Sequence, residues 1–267
     1  MTDTTARGNW GARGNWGRRL SWGAIALTVG GLAAALLAAV GSGAGAWSFM
    51  FGFGILRYAF FAAIAGGLLA IVAFFVARRS GDHTGRLNLL ALVIALGFGA
   101  YLMSQIATAR QVPAIHDATT DLVDVPQFAA LKVRSDNLEN IPDDGRPELA
   151  TLDPESRWKA IHRESYGDLR ALRLPLSVAD TAIRAEALAK ARGWQIARFD
   201  RQAGILEATA TTFFFRFKDD VVVRVRADPA RPGGSIVDMR SISRVGGSDI
   251  GVNAQRIRTF LADLQAA

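Results

Sequence analysis

The sequence predicts an α+β soluble domain, a twisted antiparallel sheet flanked by two helices, behind an all-α three-helix membrane anchor. Three observations carry this reading. The first half of the chain holds three long uncharged runs, the second half alternates apolar and polar residues between turn signals, and charge is divided unevenly between the two. The 267 residues are 50% hydrophobic and 21% charged, which excludes a disordered or fibrous protein. A formal charge of +7 would ordinarily suggest a polyanionic partner. Its distribution says otherwise. Residues 1–109 carry Arg7, Arg13, Arg18, Arg19, Arg57, Arg78, Arg79 and Arg86 against Asp3 and Asp82, a balance of +6, which leaves +1 for residues 110–267.

No residue is charged from Leu20 to Leu56, from Tyr58 to Ala77, or from Leu87 to Ala109. Each run can cross a hydrocarbon core of about 30 Å at about 1.5 Å per residue. Spans are expected at Trp22–Val40, Ile55–Ala77 and Leu87–Thr108, with Gly41-Ser-Gly-Ala-Gly45 as the first turn. Trp22, Trp47 and Tyr58 fall near predicted span ends, as aromatic belt residues do. Four arginines precede the first span, none lies in the loop 41–54, and Arg78, Arg79 and Arg86 lie between the second and third. Because Lys and Arg are retained on the cytoplasmic side, the chain is expected in a bacterial inner membrane as a multi-pass protein with its N-terminus cytoplasmic and its C-terminal domain periplasmic. Arg57 alone falls on the other side, at a helix end from which it can snorkel.

The expected organisation is a cytoplasmic tail (1–21), a transmembrane region (22–109), a Pro-rich periplasmic strap (110–168) and an α+β periplasmic domain (169–267). A cleaved signal peptide competes for the first span, since Ala44-Gly45-Ala46 resembles an A-x-A site, but the apolar run is longer than the usual h-region. Either outcome leaves the C-terminal half on the same side. The absence of cysteine excludes disulfides, Cys-ligated zinc and a thiol nucleophile. Ala-Arg-Gly-Asn-Trp-Gly occurs twice, at 6–11 and 12–17, and reads as a duplicated tail or a small arginine-aromatic patch for anionic headgroups. Gly31, Ala35 and Ala39, and likewise Ala63 and Gly67, have the small-xxx-small spacing of close helix approach. The spans hold no Asp, Glu or Lys, which favours an anchor over a transport pathway.

The strap contains Pro113, Pro126, Pro142, Pro147 and Pro154, five of the eight prolines, and reads as ordered but irregular. Asp153-Pro154 starts a short helix to about Arg163 as N-cap and N1. Ile115-His-Asp-Ala-Thr-Thr-Asp121 crowds His116, Asp117 and Asp121 together; Asx and ST turns are the expected use, half of an acid-base or metal site the other. Leu169–Leu174 reads as a strand. Ser177 and Asp180 then open a helix with Val178, Ile183, Ala187 and Leu188 on one face, ended by Gly193. Trp194–Phe199 and Ile205–Phe217 follow as strands around the turn Asp200–Gly204.

Phe213, Phe215 and Phe217 share one strand face, and Val221, Val223 and Val225 share one face of the next. A three-residue loop, Lys218-Asp219-Asp220, would pair 217 with 221 and 213 with 225, keeping that face apolar, with Asp220 left-handed. After the turn 228–234 a strand Ser235–Arg244 would then align Arg216, Arg224, Arg226, Arg240 and Arg244 on one sheet face, with Asp238 as single counter-charge. That face is either a solvated outer surface or a site for a carboxylate, phosphate or anionic headgroup. The tail 244–251 feeds a helix from about Val252 to Leu264. Arg244, Ser248, Asp249, Asn253 and Arg256 could converge at its N-terminus as an anion site, or Ser248 and Asp249 could simply cap the turn.

Ile115–Asp121, Phe217-Lys-Asp-Asp-Val-Val-Val-Arg-Val225 and Met239-Arg-Ser-Ile-Ser-Arg-Val-Gly-Gly-Ser-Asp-Ile-Gly-Val-Asn-Ala254 resemble the segments of domain-of-unknown-function family fourteen ninety-nine. The resemblance covers roughly 113–264, departing at Gly167, where relatives tend to have Pro. It implies a bacterial and plastid envelope domain behind hydrophobic helices, with no agreed activity or catalytic residues. Arg240, Ser241, Ser243, Arg244, Ser248, Asp249 and Asn253 thereby become the first positions to test. The sequence has no G-x-S-x-G, H-E-x-x-H, Walker or C-x-x-C pattern, and neither a cofactor nor a metal site is expected. A near-neutral exported half disfavours nucleic acid. Besides the lipid bilayer itself, the expected partner is an anionic lipid or an envelope protein bound by the displayed domain, one version being a cupped sheet holding an amphiphile. An envelope enzyme built around Asp249, Ser248 and His116 is the alternative.

Overall fold

The computed structural model describes residues 15–139 and 141–266. The first repeat, and residues 12–14 of the second, lie outside them. The chain forms two compact units: one runs to Ile106 and takes in Phe214–Arg216, and the other begins at Ala107 and holds the rest.

The first unit is built from α1 (Trp16–Gly43), α2 (Phe49–Ser80) and most of α3 (Gly85–Gln111), each long and apolar enough to cross a membrane. All three extend beyond the expected spans. The turn falls at 44–48 rather than 41–45, because Ala44 still closes a helical bond to the Val40 carbonyl, and Ser48 then caps α2 by accepting from the Phe51 amide. The buried stripe is made of small residues: Ala24, Thr28, Gly31 and Ala35 of α1 against Ala59, Ala63, Gly66 and Ala70 of α2. A Cβ on Gly31 would lie 2.7 Å from the Ala59 carbonyl oxygen, and one on Gly67 2.7 Å from Ala95 of α3. Backbones can approach this closely only where side chains are absent. Large residues such as Phe61, Leu68, Phe75, Leu89 and Leu96 point outward and are exposed. Small inside and large apolar outside suits a bundle solvated by lipid.

The second unit is an open, wholly antiparallel sheet with helices. Its strands are β1 (Asp117–Thr119), β2 (Leu172–Leu174), β3 (Gln195–Asp200), β4 (Ile205–Thr211), β5 (Lys218–Ala227) and β6 (Ser235–Ser243), in the order β1-β6-β5-β4-β3, with β2 also pairing β6. The helices are α4 (Pro147–Ala150), α5 (Pro154–Ser165), α6 (Val178–Ala191) and α7 (Val252–Ala266). Capping chemistry sets their starts. The Asp153 carboxylate accepts from the Ser156 amide at 3.0 Å, and Ser177 Oγ from the Asp180 amide at 3.1 Å. Gly193, at φ 70°, ends α6 as expected.

One sheet face, carrying Leu206, Val221, Val223, Val225, Val237 and Met239, packs with Ala182, Ala185, Ile257, Phe260 and Leu264 of α6 and α7 into the core. That core fills the face which a cupped-sheet ligand would need. The expected register of the β4–β5 hairpin is overturned. Thr211 pairs with Lys218, Ala208 with Val221 and Leu206 with Val223, so 212–217 form the loop and the phenylalanines leave the sheet. Thr212 and Phe217 close that loop through Thr212 N–H to the Phe217 carbonyl (2.8 Å) and Phe217 N–H to Thr212 Oγ1 (2.9 Å). Arg216, at φ 55°, is the left-handed residue, while Asp219 and Asp220 lie within β5. The physical reason is volume. Ala208, opposite Val221, and Ala210, opposite Asp219, leave room for α6 and α7, which three phenylalanines would occupy.

Candidate functional site

The candidate residues separate into two clusters, one on each face of the sheet, and Arg216 belongs to neither. Period-two alternation is the cause. Arg224 and Arg226 of β5 and Asp238 and Arg240 of β6 share the face opposite the helices, with Asp117 and Thr119 of β1 beside them.

That face is not open. The irregular segment 120–137 contributes hydrogen-bond partners to it along much of its length. Arg240, itself 7% exposed, holds the 1%-exposed Asp117 carboxylate bidentately, at 3.1 Å through Nε and 2.8 Å through Nη2. Asn137 Nδ2 donates to the same carboxylate at 2.7 Å, and Arg240 Nη1 reaches the Pro126 carbonyl at 3.3 Å. Arg226 pairs with buried Asp238 at 2.6 Å, and Arg224 with Asp124 at 2.9 Å and Asp238 at 3.3 Å. Asp121 lies 3.5 Å from Arg224 while its carboxylate accepts the Val123 and Asp124 amides, the expected Asx turn. Glu207, fully buried, accepts three successive N–H groups, from Ala129 at 3.0 Å and from Ala130 and Leu131 at 2.9 Å each. Arg244, just past β6, grips Asp220 at 2.8 and 2.9 Å. Asp238 is therefore one counter-charge of several. The arginines supply charge that this chain's own carboxylates already neutralise.

The second cluster lies where β6 meets the start of α7. Asn253 is fully buried, and its Nδ2 donates to the His116 carbonyl and to Ser243 Oγ, both at 2.9 Å. Ser241 Oγ donates to Asn253 Oδ1 at 2.6 Å, and Arg256 links Ser241 (2.9 Å) to Asp219 (2.5 Å). Asp219 and Asp220, neighbours in β5, thus serve opposite faces. Ile250 at φ 56° and Gly251 at φ 77° bend the chain into α7, and Asp249 caps it, accepting from Gly251 N–H at 2.8 Å and Asn253 N–H at 2.7 Å. Burial raises the Asp249 carboxyl above the usual range despite those two donors. Ser248 Oγ accepts the Ile250 amide at 3.2 Å. His116 Nδ1 lies 3.4 Å from the Gly247 carbonyl, and its Nε2 is buried with no hydrogen-bond partner among the described residues, as is the Tyr166 hydroxyl.

Residues 117–264, just over half of the chain, match the model of a family described as Protein of unknown function (DUF1499). The chain belongs to this family. A search of curated proteins found none that matches. The match spans both polar clusters except His116 and stops short of the three apolar helices, so the DUF1499 domain is the sheet with its irregular cover and its helices. Its inward-facing polar residues hold that cover and the α7 turn. Five partners carry only a faint sequence signal: the acceptors Asp124, Glu207, Asp219 and Asp220, and the donor Asn137. Glu207 sits singly between apolar neighbours, and Asp219-Asp220 resembles a turn.

Proposed function

We propose that this protein is a multi-pass inner-membrane protein of a bacterial cell, N-terminus cytoplasmic, which displays its DUF1499 domain in the periplasm as a binding or interaction module for an anionic lipid or an envelope partner. The observation that carries the reading is the arrangement of arginine around three apolar helices. Arg7, Arg13, Arg18 and Arg19 precede or open the first helix and Arg78, Arg79 and Arg86 flank the turn between the second and third, whereas the 44–48 turn has none. An odd number of crossings then puts the domain on the far side. Reporters fused to the C-terminus test this directly. A periplasm-active reporter should be active there and a cytoplasm-active one silent; the reverse pattern refutes the placement.

The arginine sheet face is paired with the chain's own carboxylates, which favours the outer surface of the domain and its hairpins as the interface. A second reading, an envelope enzyme using Asp249, Ser248 and His116, is favoured by one observation: a buried carboxyl with a raised pKa on a residue whose amide bonds the Ile115 carbonyl, next in sequence to a histidine with a nitrogen that has no partner among the described residues. Capping already accounts for both oxygens of Asp249. Asp249→Asn should therefore perturb stability before any turnover, and loss of turnover in a fully stable variant would favour the enzyme.

A further inference from the structure

The tip of the β4–β5 hairpin is a cluster of aromatic residues, two of them exposed. Four of its five residues from 213 to 217 are phenylalanine and the fifth is Arg216. Phe213 is 83% exposed and Phe214 48%, in a domain that buries Trp158 and Phe260 almost completely. Contiguous exposed aromatics of this size mark an interaction surface.

We propose that this tip inserts into the headgroup–acyl boundary of the bilayer that the three helices span, with the Phe213 and Phe214 rings in the apolar layer and the Arg216 guanidinium at the phosphate level. Aromatic rings beside a cation are the composition of interfacial anchors, because the ring prefers the boundary and the charge can snorkel out of it. The structure presents the tip deliberately. The two Thr212–Phe217 hydrogen bonds close it, and Arg216 adopts a left-handed conformation that residues with a Cβ rarely take. Phe214–Arg216 group with the helical unit, where the Phe215 ring meets Phe53 of α2 edge-on at 4.9 Å. Gly43 at the end of α1 leaves the space that Arg216 takes, since a Cβ there would lie within van der Waals overlap of the Arg216 side chain. Trp47, Phe49, Phe51 and Phe53 belong to the same end of the bundle, the aromatic end expected at a membrane surface. Arg216 also differs from Arg224, Arg226, Arg240, Arg244 and Arg256. Each of those pairs with a carboxylate, and among the described residues no carboxylate lies within ion-pair distance of Arg216. A lipid phosphate is the partner that this position would meet.

The inference rests on the helices spanning a bilayer, not on which compartment receives the domain. The full chain lacks cysteine, so Phe213→Cys and, separately, Phe214→Cys carry an environment-sensitive fluorophore at a single site in phosphatidylethanolamine–phosphatidylglycerol vesicles. Val123→Cys, at a site 94% exposed within the domain, serves as the aqueous reference. The labels at 213 and 214 should emit to the blue of that at 123, be quenched several-fold more strongly by spin-labelled lipid, and resist aqueous iodide. Iodide quenching equal to that at 123 overturns the inference, and so does quenching by neither agent, which would mean that protein, for example a second copy of the chain, covers the tip. A failure of the topology reading appears in the reporter fusions and leaves these depths unchanged.

Discussion

Arg240→Ala separates a structural arginine from a ligand-binding one. In the native chain the guanidinium makes two bonds to an Asp117 carboxylate that is 1% exposed, and a third to the Pro126 carbonyl. Truncation leaves the buried Asp117 carboxylate with Asn137 Nδ2, at 2.7 Å, as its remaining side-chain donor. Breaking a buried pair from one side costs about 3–5 kcal/mol, because the surviving charge keeps its desolvation penalty. Set against a domain stability of about 5–15 kcal/mol, that is a large share. The variant should melt at markedly lower denaturant in mild detergent, and its 120–137 segment should become protease-sensitive at concentrations that spare the parent. Replacing both partners, Asp117→Asn with Arg240→Met, should recover much of the loss, since no uncompensated charge remains. An Arg240→Ala protein within about 1 kcal/mol of the parent would refute this reasoning, and a stable variant that no longer retained anionic lipid would restore the arginine face as a binding site.

Three further outcomes follow from the same geometry. Burial pushes His162 down to about 4 from 6.5, with its Nε2 accepting the Thr119 amide; the unfolded chain therefore binds the proton first, and stability should fall by about 3 kcal/mol as pH drops from 6.5 to 4, at about 1.4 kcal/mol per unit, a slope that equilibrium unfolding should show and His162→Gln should flatten. Gly204→Ala should destabilise by well over the 1–2 kcal/mol typical of a left-handed alanine, since φ is 67° and the added Cβ would meet the Val225 carbonyl; Gly193→Ala, at φ 70° with nothing within 4 Å, should cost about that 1–2 kcal/mol alone, and equal losses would undo the distinction. Glu207→Gln aims an amide NH₂ at N–H groups of 129–131, so hydrogen exchange there should accelerate by orders of magnitude while the α6 amides stay protected.

Much of the fold is legible because its signals are local. Asp153-Pro154, Ser177 with Asp180, and Gly193 each act within one helical turn, and the helices begin or end where that chemistry puts them. The three apolar helices follow from run length alone. The β4–β5 hairpin departs from the expected register because 213–217 lacks the alternation of a strand. The valines pair instead with Leu206 and the small Ala208, opposite Val223 and Val221, while Ala210 faces Asp219. The candidate site was legible in membership and not in environment. Alternation put Arg224, Arg226 and Arg240 on one face, but Asp124, which pairs Arg224, is 100 residues away in an aperiodic segment whose path over the sheet no local rule describes.

Burying so many charges is a poor route to stability, since a well-packed apolar face would do as well or better. What charges provide is a defined position. The segment 120–137 has little regular structure and would slide on a greasy sheet, whereas each of its contacts here has one partner geometry: Asp124 with Arg224, the Pro126 carbonyl with Arg240, the Ala129–Leu131 amides with Glu207, and Asn137 with Asp117. Four such contacts spread over the segment fix its register as a ladder fixes a strand. The irregular cover is then held on one face of the sheet, while α6 and α7 fill the other. Both sides of the sheet are closed by the chain itself, and what the second unit offers outward is its surface and its loops. This is why the exposed aromatic tip of the β4–β5 hairpin, before the arginine face, is where recognition by a membrane is best sought.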